Sequence, residues 1–207
     1  MASEAQTRIY NKKEAAVFGT TSGEFGALSN MAPDFPIVIQ GVRIPTAEAL
    51  YQACRFPDHP EIQRLIIDQL SPMTAKMKSK RYHDKTRSDW DGVRVNIMRW
   101  CLRAKLEQNW KRFGAALDRT GSRPIVEESR KDEFWGAKPK EAGTLFGRNV
   151  LGRLLMELRD QFRSVEGGHL GGVSYPSIPH FHLFGKPLGR VGMRTELRSD
   201  IQPSMFE

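Results

Sequence analysis

The stretch Ile37–Tyr51, with the sequence IVIQGVRIPTAEALY, decides how the chain begins to fold. Two β-branched runs, Ile37–Ile39 and Val42–Ile44, flank Gln40-Gly41 and predict a β-hairpin, because glycine takes a positive φ at little cost. Pro45-Thr46 then predicts the start of a helix. Apolar residues recur at helical spacing beyond it, so the sequence changes from strand to helix within two residues.

Further helices are indicated by caps and by the spacing of apolar residues. Pro60 predicts the start of a second helix, and Ser71-Pro72 that of a third. This third helix is short and very basic, with Lys76, Lys78, Lys80 and Arg81. Asp89 predicts the N-cap of the longest helix, whose pattern resumes at Trp110, and Asn149 predicts the cap of the last one.

The remaining segments give weaker patterns. Residues 1–24 are polar, Pro124–Glu127 predicts a short strand, and residues 128–148 read as a long polar loop. Residues 165–192 are rich in Gly and Pro. We expect this stretch to be ordered only if it packs on the domain, through Tyr175, Phe181 and Phe184.

The composition is that of a basic globular protein. The 207 residues carry 32 Lys and Arg against 24 Asp and Glu, a formal net charge of +8, with a pI near 9.7. This balance favours polyanionic partners such as nucleic acid, nucleotides or phosphate esters, although a solvated basic surface explains the charge equally well. No apolar run approaches the ~20 residues that span a bilayer. Met1–Gln6 lacks a basic segment followed by an apolar one, so we expect neither a membrane span nor a secretory signal.

The Cys and His residues argue against disulfide or metal chemistry. Cys54 and Cys101 lie outside any CxxC pattern, and two thiols make neither a disulfide framework nor a structural zinc site. They are typical of buried thiols in a reducing compartment, so we expect a cytoplasmic protein. His169, His180 and His182 lie in the Gly-rich tail without a carboxylate partner, so we expect no metal and no cofactor. The P-loop, GxSxG, HExxH and GxGxxG motifs are absent from the sequence.

Glu48 and Lys76 are the first candidates for chemistry. Glu48 stands in the first turn of the helix after the hairpin, where free backbone N–H groups stabilise a carboxylate. It is therefore either an electrostatic cap or a catalytic carboxyl group at the mouth of a pocket. Lys76, in the basic helix, is either a solvated charge, a phosphate clamp or an amine nucleophile.

The loop segment Asp132–Gly136, with the sequence DEFWG, is the next candidate. An exposed Trp135 would leave a large apolar surface in water, so this side chain packs on the domain or on a ligand, and Gly136 permits a close approach. Trp90 is open to the same two interpretations. Asn149 begins a helix whose N-terminal backbone donors either bind an anion or are simply capped.

Taken in their order along the chain, these segments resemble the NADAR family. Leu28–Met31 (LSNM) and Thr46–Ala53 (TAEALYQA) are similar to its SNF…TSEHYFQA signature, and Leu102–Leu106 (LRAKL) is similar to LRAKF. The blocks that complete the pattern are Arg87–Arg94 with Met98, Glu127, Asp132, Trp135-Gly136 and Gly147–Met156. The resemblance covers residues 8–162. The sequence departs from it at Met77–Lys80, where the family more often shows Leu/Met-Gly-Arg.

The resemblance implies an α+β fold, a mainly helical single domain with a small sheet or hairpin. We expect this domain over residues 1–164 and an extension of unknown role over 165–207. The resemblance also implies hydrolysis of an N-glycosidic bond to ribose. Some family members remove ADP-ribose from the exocyclic amine of guanine in DNA or RNA, in some cases as antitoxins to DNA ADP-ribosyltransferase toxins. Others cleave early riboflavin-pathway intermediates.

The basic charge favours a nucleic-acid substrate, so we predict a hydrolase that removes ADP-ribose from guanine, with a toxin ADP-ribosyltransferase as its functional partner. Three alternatives remain open at this point. The first is an N-glycosidase of riboflavin-pathway intermediates. The others are a non-catalytic reader of ADP-ribose or NAD, and a basic nucleic-acid-binding module without ADP-ribose specificity, whose duplex binding would be sensitive to salt.

The chemistry of a ribose C1–N bond sets the expected roles. Its cleavage develops positive charge on the sugar and negative charge on the departing nitrogen, so an acid and a carboxylate both assist. At the matching positions, Glu48 and Asp132 are the expected pair, and Lys76 offers another route through a Schiff base. Trp90 and Trp135 are expected to stack on a base of the substrate, with Gly136 beside them. Ser29, Asn30 and Asn149 are expected to bind ribose hydroxyls or phosphates.

Overall fold

The computed structural model describes residues 6–141 and 143–192, which form an α+β fold of six helices and nine short strands. The helices are α1 Ala47–Ala53, α2 Pro60–Ile67, α3 Pro72–Arg81, α4 Trp90–Gln108, α5 Trp110–Asp118 and α6 Val150–Ser164. The strands are β1 Arg8–Asn11, β2 Ala16–Phe18, β3 Ile37–Ile39, β4 Val42–Ile44, β5 Ile125–Glu127, β6 Lys138–Pro139, β7 Thr144–Gly147, β8 His182–Leu183 and β9 Lys186–Pro187. The expected fold class is confirmed.

The hairpin and the helix after it form as their sequence predicts. β3 pairs antiparallel with β4, and the turn residues Gln40 and Gly41 have φ values of 51° and 77°. Both values are positive, as a two-residue hairpin turn requires. The Thr46 hydroxyl oxygen accepts a hydrogen bond from the Ala49 backbone N–H over 3.1 Å and so caps α1. All seven residues of α1 are buried, because this helix lies against α2, α3 and α4.

α4 is the central helix of the core. Its inner face carries Ile97, Cys101 and Ala104, all fully buried, and it packs against α1, α5 and α6. Asp89 precedes α4 as predicted, but its carboxylate accepts a hydrogen bond from Arg87 at 3.0 Å and caps no helical N–H. Neither α4 nor another helix in the described ranges is long and apolar enough to cross a bilayer.

Small sheets join the predicted strand β5 and several segments that the sequence did not indicate as strands. β7 lies between β1 and β6 and is antiparallel to both, while β2 pairs parallel with β5. The prediction of a long irregular loop over residues 128–148 is therefore wrong in its second half, where β6 and β7 form. Both strands are short, and β7 pairs with β1 at the start of the chain, so local hydrophobic periodicity does not predict them.

The start of the Gly-rich segment after α6 is held by a buried carboxylate. Glu107, on α4, accepts hydrogen bonds from the backbone N–H groups of Leu170 and Gly172 over 2.6 and 2.8 Å. Further along, the Gln63 amide oxygen on α2 accepts from the Phe184 backbone N–H over 2.6 Å. Side chains of the helical core therefore order the backbone of residues 165–192.

The aromatic residues predicted to anchor this segment differ in burial. Phe181 is buried, with its ring centroid 5.0 Å from that of Trp100. Phe184 is partly buried, and the Arg64 guanidinium carbon lies 3.8 Å from its ring centroid. Tyr175 is exposed and anchors nothing. The last part of the predicted extension, residues 193–207, lies outside the described residues.

Candidate active site

Glu48 is a buried carboxylate at the start of α1. The hairpin and the Thr46 cap fix this end of the helix, and the Glu48 backbone N–H donates to the Asn30 carbonyl oxygen over 3.0 Å. Only 6% of Glu48 is exposed. A carboxylate that only caps a helix is stabilised by the helix N-terminus while exposed to water and need not be buried. Because burial of a charged group costs free energy, the burial of Glu48 favours the catalytic interpretation.

A chain of hydrogen bonds fixes the Glu48 carboxylate. The Gln52 side-chain amide donates to Glu48 Oε1 over 2.9 Å, and the Ser79 hydroxyl donates to Gln52 Oε1 over 2.7 Å. Ser79 belongs to α3, so this chain also ties α3 to α1. It places Lys76 Nζ 3.9 Å from Glu48 Oε1, with 41% of the lysine side chain exposed. The structure thus brings together two of the three predicted catalytic residues.

Glu127, the last residue of β5, is a third member of this cluster that we did not predict as catalytic. Burial, with smaller effects from the negative charges of Glu48 and Asp132, raises the pKa of the Glu127 carboxyl group to about 7, and Lys76 opposes the shift. A carboxyl group of this pKa holds a proton near neutral pH and gives it up readily. Its place in the motif order is the only sequence signal, because its burial depends on how the sheets pair.

Asp132 lies close enough to affect Glu127 but organises its own loop. Its Oδ1 accepts hydrogen bonds from the backbone N–H groups of Phe134 and Trp135, both over 2.9 Å. The Asp132 backbone N–H in turn donates to the Ser129 hydroxyl oxygen over 3.1 Å. Asp132 therefore sets the position of Trp135, and its predicted place as the partner of Glu48 in catalysis fits Glu127 better.

Trp90 and Trp135 meet around Tyr51, three residues after Glu48 on α1. The Tyr51 ring centroid lies 5.0 Å from that of Trp90 and 5.6 Å from that of Trp135. Burial, with the nearby Glu48 charge, raises the pKa of the Tyr51 hydroxyl well above its ordinary value, so Tyr51 stays neutral. The Arg55 guanidinium carbon lies 5.0 Å from the Trp90 ring centroid. The two tryptophans form one aromatic wall with a cation at its edge.

Ser29 and Asn30 lie beside the start of α1. The Ser29 hydroxyl oxygen accepts from the Met31 backbone N–H over 3.2 Å. Asn30 Nδ2 donates to the Met98 sulfur over 3.1 Å, and Asn30 Oδ1 is buried without a partner among the described residues. Buried acceptors are rarely left unfilled in proteins. Asn30 Oδ1 can therefore accept a further hydrogen bond, as the predicted contact with a ribose hydroxyl requires.

Lys105, in the LRAKL block, holds this segment in place. Its Nζ is fully buried and donates to the carbonyl oxygens of Ala27 and Ser29 over 2.9 and 3.0 Å. It lies 4.7 Å from the Phe35 ring centroid and 4.0 Å from that of Phe113. Burial lowers the pKa of the Lys105 amine to about 7. An amine in apolar surroundings therefore fixes the turn that carries Ser29 and Asn30.

Gly136 and Asn149 are structural residues that contact β5, the strand that carries Glu127. A Cβ on Gly136 would come within 2.6 Å of the Glu127 carbonyl oxygen, so the close approach predicted here is made by β5 itself. Asn149 is fully buried with φ 49°; its Nδ2 donates to Ile125 O over 2.8 Å, and its Oδ1 accepts from Glu127 N–H over 3.1 Å. Both residues position β5, and with it Glu127.

The N-terminus of α6 is closed to an anion. The backbone N–H groups of Val150 and Leu151 each donate over 3.0 Å, to the carbonyl oxygens of Phe134 and Trp135 respectively. Asn149 precedes the helix, as predicted, but its side chain caps no helical N–H. The substrate contact that the sequence suggested for Asn149 is corrected on these grounds, because its side-chain amide and the N–H groups of Val150 and Leu151 are engaged within the protein.

Within the described residues, no group of three or more His, Cys, Asp or Glu side chains could hold a metal ion. The rings of His180 and His182 are 6.0 Å apart, and His169 Nδ1 accepts from the Gly171 backbone N–H over 2.8 Å. Cys54 and Cys101 are free, buried thiols, as predicted. The arrangement around Glu48 is instead that of an acid and base site: a carboxyl group with a raised pKa, a fixed carboxylate and an amine.

Comparison with known proteins matches the site and its scaffold to one family. The model of the NADAR domain matches residues 12–163. The N-glycosidase YbiA of Escherichia coli (strain K12) is 37% identical over 147 residues, which are 70% of this chain and 86% of that protein. The NMR structure of YbiA from Escherichia coli aligns with a TM-score of 0.62 at 33% identity, covering 75% of this chain and 92% of that one.

Two further relatives carry different names. The N-glycosidase Npun_R5314 of Nostoc punctiforme is 32% identical over 143 residues, 68% of this chain and 88% of the relative. The riboflavin biosynthesis protein VVA0006 of Vibrio vulnificus is 35% identical over 138 residues, 67% of this chain but 36% of that longer protein.

Proposed function

The chain belongs to the NADAR domain family, and from that premise we propose that it is an N-glycosidase that removes ADP-ribose from the amino group of guanine in nucleic acid. The observation that carries the proposal is the juxtaposition at the end of β5 and the start of α1. Glu127, with a pKa of about 7, lies near the fixed carboxylate of Glu48 and the amine of Lys76. Relatives named N-glycosidase support the reaction class.

The reaction uses these groups in complementary roles. The bond between ribose C1 and the guanine amino nitrogen breaks, and its electron pair goes to the nitrogen. Glu127 donates a proton to that nitrogen, which leaves as the unmodified guanine amine. Glu48 stabilises the positive charge on the sugar and takes a proton from the water that attacks C1, which gives ADP-ribose. Trp90 and Trp135 stack on a base of the substrate, at a gain of roughly 1–3 kcal/mol per stacked base.

The charge of the chain supports nucleic acid as the carrier of the modified guanine. A formal net charge of +8 attracts a polyanion. In this role the protein removes the modification that a DNA ADP-ribosyltransferase makes, and it acts as an antitoxin to that enzyme. The buried free thiols, Cys54 and Cys101, fit a reducing compartment, and we place the protein in the cytoplasm.

A second candidate function rests on the riboflavin biosynthesis protein of Vibrio vulnificus, which is 35% identical to this chain. The same acid and carboxylate would cleave the N-glycosidic bond of a phosphorylated riboflavin-pathway intermediate. This substrate is small and needs no contact outside the pocket. A third candidate, a non-catalytic reader of ADP-ribose, would use the same pocket without turnover.

One experiment separates the two enzymatic functions. The protein is incubated with a DNA oligonucleotide that carries ADP-ribosylguanine and, separately, with early riboflavin-pathway intermediates, and products are measured by chromatography. We expect ADP-ribose and unmodified guanine from the oligonucleotide. Turnover of the intermediates alone would contradict the proposal in favour of the second candidate.

Thermal denaturation with free ADP-ribose identifies the reader. A ligand that binds the folded state stabilises it by about 2.7 kcal/mol at 100 times its dissociation constant. A raised melting temperature with an unchanged guanine adduct would make the protein a reader. If the protein shows no turnover, and millimolar ADP-ribose does not raise its melting temperature, an ADP-ribose pocket is excluded.

A further inference from the structure

The outer face of α3 exposes large apolar side chains beside the candidate active site. Leu70, just before the helix, is 99% exposed, and Met73 and Met77 are 54% and 59% exposed. The two methionines are four residues apart and therefore neighbours on one helical face. Ala75 and Ser79 cover the opposite face and are buried. Scattered apolar residues are common on surfaces, but three within eight residues at the rim of a site form a patch.

Cations surround this patch. At 100° per residue, Lys80 projects beside Met73 on the side away from Met77, with Lys76 beyond it, and Arg81 projects beside Met77 on the other side of the strip. α3 itself contains no acidic residue. Lys76 also lies 3.9 Å from Glu48, so the face is continuous with the site. Part of it, Met77–Lys80, is where the sequence departs from the family pattern.

We propose that this α3 face, formed by Leu70, Met73, Met77, Lys80 and Arg81, docks double-stranded DNA and holds open the base stack from which the modified guanine is drawn into the site. This inference rests on the proposed function and assigns to α3 the selection of a duplex over a small substrate. Charge complementarity identifies the occupant, because the cations pair with phosphates on both sides of an apolar strip.

The chemistry of guanine gives this arrangement a direction of approach. The exocyclic amine of guanine faces the minor groove of a duplex. Proteins that bind there insert apolar side chains such as Leu and Met between base steps, while flanking cations hold the phosphates. An enzyme acting on a base must also extrude it from the stack. Met73 and Met77 are unbranched and flexible, and fill the space that the extruded nucleotide leaves.

Paired variants and two substrates test the proposal. Met73→Gln/Met77→Gln removes the apolar strip and Lys80→Gln/Arg81→Gln the charges, and Gln keeps helix propensity in both. Ile9→Thr, at an exposed apolar residue of β1, and Lys13→Gln/Lys111→Gln, at exposed cations elsewhere, are the matched controls. Each protein is assayed on duplex DNA carrying ADP-ribosylguanine and on free ADP-ribosylguanosine.

We expect both α3 variants to lose at least tenfold in kcat/KM on the duplex and to match the parent on the free nucleoside, with the controls unchanged on both. For the charge variant, the slope of log affinity for unmodified duplex against log salt should fall by about 1.8, the contribution of two phosphate contacts. Equal losses on both substrates, or no loss on the duplex, would overturn the proposal. The proposal would also be overturned if the α3 variants differ from the parent in oligomeric mass but turn over the duplex normally, because the face would then bind a second copy of the chain.

The result also separates this proposal from the proposed function. If the parent cleaves neither substrate, the proposed function fails while the duplex-binding measurement still decides the role of α3. Weaker binding by the α3 variants than by the controls would then uphold the docking surface, and equal binding would overturn it.

Discussion

The side-chain amide of Gln52 donates to Glu48 Oε1 over 2.9 Å, while its carbonyl oxygen accepts from Ser79 over 2.7 Å. The Arg55 guanidinium donates to the same Gln52 oxygen over 3.3 Å. Gln52 is thus oriented by two donors and can present only its NH₂ group to Glu48. This relationship makes Gln52 a positioning residue for the candidate catalytic carboxylate.

Replacing Gln52 by Leu should lower kcat by about 10²-fold, because a misplaced catalytic group loses its reactive geometry. KM should change much less, since Gln52 acts on Glu48 and not on the substrate. Ser79→Ala, which removes one of the donors that orient Gln52, should act in the same direction more weakly. Steady-state kinetics on the ADP-ribosylated oligonucleotide measure both constants. A rise in KM with kcat unchanged would assign Gln52 to substrate binding instead.

Glu127→Gln should lower kcat/KM by about 10²–10⁴-fold, the usual loss of a general acid. In the parent protein, kcat/KM should fall as pH rises above about 7, where Glu127 loses its proton. Glu128→Gln is the matched control, because this neighbour points to Lys12 at 2.8 Å and lies outside the cluster. Activity that stays constant from pH 6 to 9 would remove Glu127 from the acid role.

The same residue gives stability a dependence on pH. The pKa of Glu127 is about 7 in the folded chain against 4.5 for an ordinary glutamate, so the folded state binds the extra proton between these values. Its contribution to the free energy of unfolding therefore falls as pH rises from 4.5 to 7. Urea unfolding of the parent and of Glu127→Gln measures this effect, and the difference between their free energies of unfolding should change between pH 4.5 and 7. A difference that stays constant with pH would mean that Glu127 is solvated.

Local signals explain what the sequence predicted well. The hairpin follows from β-branched runs around Gln40-Gly41, and α1 from the Thr46 cap, because each depends on residues a few positions apart. The same holds for α3 after Ser71-Pro72. Glu48, Lys76 and the two tryptophans were found through motif positions, and the structure brings all four to one site.

Distant pairing explains what the sequence did not predict. Glu127 owes its raised pKa to burial, which depends on the pairing of β5 with β2 and on the Asn149 amide, and both of these partners are distant from Glu127 in sequence. The β1–β7 pairing joins Arg8 to Gly147 and leaves no periodicity in such short strands. Asn149 was correctly placed at the start of α6, but its left-handed backbone turns its side chain to β5.

Lys76 distinguishes two mechanisms. Lys76→Arg keeps the positive charge near Glu48. If Lys76 binds a phosphate, this variant should retain much of the parent activity. If Lys76 is a nucleophile, the variant should still bind substrate but lose turnover. If Lys76 attacks C1 of a ring-opened ribose, borohydride added during turnover should trap a ribosyl adduct on the parent protein and none on Lys76→Ala. Full activity of Lys76→Ala without trapping would leave the two carboxyl groups to carry the reaction.

Lys105→Met should reduce activity and alter the dependence of stability on pH. Loss of the amine frees the carbonyl groups of Ala27 and Ser29, so the turn that carries Asn30 shifts. The pKa of Lys105 is about 7 when folded against 10.5 ordinarily, so the unfolded chain binds more protons between these values. The free energy of unfolding of the parent should therefore rise relative to that of Lys105→Met as pH increases from 7 to 9.

Exposed Lys111, on α5, is the control for Lys105. Lys111→Met should leave the dependence of stability on pH unchanged. A difference between the parent and Lys105→Met that stays constant from pH 7 to 9 would mean that Lys105 keeps its charge throughout.

The most direct measurement of the central claim is the rate at which Glu48→Gln releases ADP-ribose from the modified oligonucleotide. Glu61→Gln is its matched control, since Glu61 also stands in the first turn of a helix, α2, but is exposed. Far-ultraviolet circular dichroism and the melting temperature establish that both variants are folded. The account predicts a loss of about 10²–10⁴-fold for Glu48→Gln and the parent rate for Glu61→Gln. A folded Glu48→Gln protein that turns over at the parent rate would contradict the account and leave Glu48 as a helix cap.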